Sequence, residues 1–132
     1  MKLLASVIAA AAFSPGMYEI TTETGMPHLE ENLRYSTTQA RHCVTQPEAF
    51  ATAFPILEHV SLKGCHLGDE TRQGDTVSYV LVCEGGHGTT GHATWELGEH
   101  QMIGTLHVKL GGKNMTFYQR VTAVPVGQCD AT

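Results

Sequence analysis

Four cysteines and eight histidines are the side chains of this chain best equipped for chemistry. The cysteines stand at positions 43, 65, 83 and 129. Cys65 and Cys83 are equidistant from Gly74, the centre of a Gln73-Gly74-Asp75 turn signal. If the flanking segments fold back as a hairpin, the two sulfurs face each other at a spacing that suits a disulfide. Cys43 and Cys129 are then left for each other. The long loop they close is worth on the order of 4 kcal/mol in the chain-entropy model. A thiolate metal site is the competing use of four cysteines, but no CxxC or CxxxC spacing supports it.

The histidines are His28, His42, His59, His66, His87, His92, His100 and His107, with no HExxH or HxH motif among them. A hairpin that pairs Leu97 with Met102 across Gly98-Glu99-His100-Gln101 sets His92 directly opposite His107 on an exposed face. Two imidazoles on adjacent strands can chelate copper or zinc, and His87, in the glycine-flanked loop nearby, is the candidate third ligand. The plainer reading is solvated histidines on a lysine-poor chain. Catalytic patterns are missing from the sequence: there is no GxSxG elbow, and no cysteine is left over as a nucleophile. Gly85-Gly86-His87-Gly88 follows a strand without opening a helix, which argues against a phosphate cradle. Asp69-Glu70 reads as an acidic pair on a solvated edge.

The elements that must position these residues are mostly strands. Met17 to Thr24, after Pro15-Gly16, and Tyr35 to Val44 read as the first two, with residues 28–34 polar and ambiguous between them. Thr45-Gln46-Pro47-Glu48 has the form of a capping box with proline in the first turn. Phe50 and Phe54 then share one face of a short helix that Pro55 stops. From Gly64 onward the chain reads as an antiparallel meander. Its first hairpin pairs Cys65 with Cys83 and Leu67 with Leu81. Ala93, Trp95 and Leu97 share a face with Met102, Gly104, Leu106 and Val108. A two-residue turn at Gly111-Gly112 is expected to set Leu106 opposite Phe117 and Val108 opposite Met115. Thr94, Glu96, Thr105, His107, Thr116, Tyr118 and Arg120 fall on the other, wet face.

The 132 residues suit one domain, with residues 13–132 as a single β-rich unit. Charged residues make up only 16% and hydrophobic ones 42%, which marks a folded chain rather than a disordered one. Formal charge is −5 and no basic run occurs, so nucleic acid is not an expected partner. Lys2 followed by the apolar run Leu3 to Ala12 predicts a secretory signal over residues 1–12, with cleavage after Ala12. An even cysteine count agrees with export. No later segment is apolar enough to be a transmembrane helix.

Several short motifs occur together and in order: Pro15-Gly16-Met17-Tyr18-Glu19-Ile20-Thr21-Thr22, Cys43-Val44-Thr45-Gln46-Pro47-Glu48, Val77 to Cys83, Thr90-Gly91-His92-Ala93-Thr94 and Gly127-Gln128-Cys129. As a set they resemble the DUF3617 family, small exported proteobacterial proteins of unassigned function, over about residues 15 to 129. The resemblance implies export and these cysteine positions, and it brings no catalytic residues. Members usually carry tryptophan where this chain has Tyr18, and a longer leader.

The expected fold is mainly β with a minor α contribution: an antiparallel meander sheet, curved or half-barrel, packed on one short helix. The expected protein is periplasmic or secreted, stapled by Cys65–Cys83 and Cys43–Cys129, and non-enzymatic. It would bind a small ligand or an envelope protein through the concave side or polar face of its sheet. Two alternatives stand beside it. One is copper or zinc binding at His92, His107 and His87; the other is an enzyme whose site forms only in three dimensions.

Overall fold

Apolar residues alternate along the last four strands of the chain, and that period of two commits one face of each to the interior. The computed structural model describes residues 14–26, 35–85, 88–111 and 115–129. The expected signal (1–12), the ambiguous stretch 28–34 and His87 lie outside the described residues. Ten-residue strands β1 (Gly16–Gly25) and β2 (Tyr35–Val44) come first, then helix α1 (Pro47–Ala51) and two 3-10 turns, Pro55–Glu58 and Val60–Leu62. Strands β3 (Cys65–Gln73), β4 (Thr76–Cys83), β5 (Thr90–Leu97), β6 (Met102–Lys109) and β7 (Thr116–Gly127) follow.

All seven strands form one open antiparallel sheet in the order β2-β1-β7-β6-β5-β4-β3. The meander β3 to β7 is the expected one. The β1–β2 hairpin docks on its far side, because β1 pairs with β7 over most of its length. The interior face carries Val77, Tyr79 and Leu81, then Ala93, Trp95 and Leu97, then Met102, Leu106 and Val108, and finally Phe117, Val121 and Ala123, all buried. The mainly β, antiparallel reading therefore holds, and the sheet does not close into a barrel.

Trp95 organises this core. It crosses onto Gly104 of β6, where an added Cβ would lie 2.5 Å from the indole, so only glycine leaves room for the ring. Phe50 and Phe54 pack against it with ring centroids 5.5 and 5.7 Å away, tilted pairs worth about 0.5–1.5 kcal/mol each beyond their burial. Its Nε1–H donates to the Ala51 carbonyl at 2.8 Å, capping an orphan acceptor at the end of α1.

Three local expectations need correction. The helix is only Pro47–Ala51, so Phe54 lies beyond it, before Pro55 and in the extended region that a following proline enforces. Phe54 still reaches Trp95, by way of the loop instead of a helix face. The expected capping box does not form: Gln46 is the N-cap, without a side-chain cap bond, and Pro47 takes the first turn. Third, β6 and β7 pair Val108 with Phe117 and Leu106 with Gln119, two residues away from the expected register. A two-residue shift leaves every side chain on its face, so the apolar pattern cannot detect it. The longer loop also buries Leu110, whose N–H donates to the Met115 carbonyl at 3.0 Å.

The β3–β4 hairpin reaches its expected pairs by an unexpected route. Gln73 pairs with Thr76, so the turn is the two-residue Gly74-Asp75 with Gly74 at φ 60. That turn alone would misalign the cysteines by one position. A bulge at Asp69-Glu70 restores the register, with Asp69 at φ 53, a conformation aspartate tolerates better than most residues.

Candidate functional site

Strand β2 is an edge, and its sequence Ser36-Thr37-Thr38-Gln39-Ala40 has no large apolar side chain. On the interior face its Thr38, Ala40 and His42 stand opposite Thr22, Ile20 and Tyr18 of β1. Small residues there, and Ala49 and Ala53 around α1, are too short to close the space between the two elements. The result is a groove of about 490 Å³ between the β1–β2 hairpin and α1. Its floor is apolar, made by Ile20, Phe50, Phe54, Trp95 and Val121. Thr22, Thr38, His42 and Gln46 place polar groups on its walls. Volume and lining both fall in the range of small-molecule sites, an apolar surface with a few polar groups to orient the ligand.

Two features hold the groove's wall. The Cys43–Cys129 disulfide, with Cα atoms 5.5 Å apart, ties the end of β2 to the segment after β7. Met17 of β1 pairs with Cys43 on one side and Gly127 on the other, so the bond closes around the start of β1. Beneath, Gln119 is buried in β7 and bridges three elements. Its Oε1 accepts from the Ile56 N–H at 3.0 Å and its Nε2 donates to the Thr24 hydroxyl at 2.8 Å. The second disulfide, Cys65–Cys83, joins directly opposed residues of β3 and β4 with Cα atoms 4.0 Å apart. Both pairings are the expected ones.

The opposite face of the sheet holds the His92–His107 pair. His92 and His107 are cross-strand partners with rings stacked at 5.3 Å and 24°, and Tyr118 continues the row with its ring 5.7 Å from His107. Two of the three candidate metal ligands thus come together; His87 is outside the described residues. Among the described residues no three His, Cys, Asp or Glu side chains gather closely enough to share a metal ion. Asp69-Glu70 is exposed on the edge strand β3, as expected, and Glu70 Oε1 also accepts from the Tyr79 hydroxyl at 3.2 Å. Burial first, and the Glu70 charge second, push the Tyr79 phenol up to about 12.

The groove was not read from the sequence. Its walls, the β1–β2 hairpin and α1, adjoin in the chain, but its floor needs Trp95 and Val121 from distant strands, and the only local trace is a strand of small and polar residues. The missed Gln119 shows as a lone polar residue at an inward position of an otherwise apolar alternation.

A family model described as a protein of unknown function (DUF3617) matches residues 13–129. No curated protein and no solved structure matches the chain.

Proposed function

From the premise that the chain belongs to the DUF3617 family of unknown function, we propose that it is an exported, non-enzymatic binding protein. Its ligand is a small, largely apolar molecule seated in the groove between the β1–β2 hairpin and α1. The observation that carries this reading is the groove itself: 490 Å³ of space with an aromatic floor and a few polar groups on its walls. A wall tied by Cys43–Cys129 supports it, because a pre-shaped site loses less entropy when it binds. Two disulfides and the expected leader favour a periplasmic or secreted location.

Trp95 is the chain's only tryptophan and lines the groove, so its fluorescence reports occupancy directly. Titration with 1-anilinonaphthalene-8-sulfonate should give a saturable change in Trp95 emission. Ala40→Phe, at an exposed position, fills the groove and should abolish it. No saturable change, or equal binding by the variant, overturns the reading. Native mass spectrometry of protein purified from its own cell envelope then identifies the resident ligand. Recovery of four free thiols from that material would reject the compartment.

A further inference from the structure

The outer face of β5, β6 and β7 carries a second groove, of about 470 Å³, on the side of the sheet away from the first. Two cross-strand rows border it. One is Thr90, Lys109 and Thr116; the other, two residues along each strand, is His92, His107 and Tyr118. Rows so spaced on one face lie about 7 Å apart, the separation of alternate residues in a strand. The side chains facing the groove are an ammonium, two imidazoles, two threonine hydroxyls and a phenol, each able to donate a hydrogen bond. Among the described residues no carboxylate lines it, although acidic residues outnumber Lys and Arg in the chain by 13 to 8. Among the described residues, the next charges along the same face by register are Arg120, with Glu23 across the ladder, and Glu96 on β5.

We propose that this groove is an oxyanion site, taking a phosphate or sulfate group between Lys109 and the His92–His107 pair. Ionised acceptors make shorter and stronger bonds to such donors than neutral groups do, and a tetrahedral anion offers enough oxygens to meet both rows. The ring geometry favours this use over chelation. With centroids 5.3 Å apart and planes inclined by only 24°, the in-plane lone pairs of the two imidazoles lie in nearly parallel planes. A metal shared by both needs lone pairs that converge, which requires one ring to turn. An anion lying across the ring edges needs no such rearrangement. This site is independent of the apolar groove, and neither depends on the other.

The test is proton NMR of the histidine ring signals at fixed pH and constant ionic strength. Inorganic phosphate replacing chloride should shift the His92 and His107 signals saturably, leaving His59 and His100 in place. Lys109→Ala, at an exposed position, should weaken that binding about tenfold, the loss of one charge-assisted hydrogen bond, while Lys109→Arg retains it. Vesicles of phosphatidylglycerol, set against phosphatidylcholine, identify the source. Pelleting with the anionic vesicles alone, reversed by phosphate, makes a lipid headgroup the ligand; free phosphate binding without pelleting makes it a soluble anion. Histidine signals that ignore phosphate, or that respond equally in Lys109→Ala, overturn the proposal. So does a response to zinc alone, which assigns the pair to metal instead.

Discussion

Tyr79 and Gly104 show how much a single side chain decides here. The Tyr79 phenol keeps its proton in the folded protein up to about 12, whereas an unfolded tyrosine loses it near 10. Between those values the folded state binds more protons than the unfolded one, so stability falls as pH rises through the window. Thermal unfolding from pH 10 upward should therefore show a declining Tm, and Tyr79→Phe should flatten the decline. An unchanged slope would remove Tyr79 as its source. Ultraviolet titration should show a phenol that ionises late, and Tyr79→Phe should remove it. At Gly104 the prediction is steric. Gly104→Ala drives a methyl against the Trp95 ring system, which the surrounding core holds on several sides. Overpacking of this kind costs about 1–3 kcal/mol. Urea denaturation followed by Trp95 emission measures it, and a neutral result would mean the indole is free to shift.

Among the elements, the β1–β2 hairpin depends most on a covalent tie. It touches the rest of the molecule through the β1–β7 ladder, and β2 is exposed along residues 36–42. The Cys43–Cys129 bond closes a separation of 86 residues, for which loop entropy predicts about 4–5 kcal/mol. In Cys43→Ser/Cys129→Ser, amide exchange should accelerate in β2 and β1 well before β5 and β6. Uniform acceleration through all seven strands would show that the hairpin and meander form one cooperative unit instead. The edges also differ in protection. Strand β3 carries a bulge and the charges Asp69, Glu70 and Arg72, devices that discourage pairing with another sheet. Strand β2 has no bulge and one charge, Arg41, 3.8 Å from Glu19, an exposed pair of small energetic weight.

At the scale of the whole molecule the two faces differ in character, with an apolar groove on one and a donor-lined groove on the other. A ligand that fills the first stabilises the fold by mass action, about 2.7 kcal/mol at a hundredfold excess over Kd. The Tm in the presence of the anilinonaphthalene probe should rise accordingly in the parent protein and stay constant in Ala40→Phe. A rise in both would place the probe elsewhere.

The amino-acid order by itself determined the strands, their buried faces, both disulfides and the His92–His107 pairing. All but Cys43–Cys129, which follows by elimination across 86 residues, rest on local alternation and turn chemistry acting over a few residues, with the bulge at Asp69-Glu70 needed to bring Cys65 opposite Cys83. It was blind to the β6–β7 shift, because two residues make a full period and Val108 faces inward in either register. It overran the helix, because Phe50 and Phe54 have helical spacing whether or not the backbone continues; Thr52 hydroxyl bonds to the Glu48 and Ala49 carbonyls and the proline ahead ended it. The groove was decided only in three dimensions. Its walls, β2 and α1, adjoin in sequence, but its floor is Trp95 and Val121. They meet because β1 docks on β7, a contact between the first and last of the described strands that no local pattern encodes.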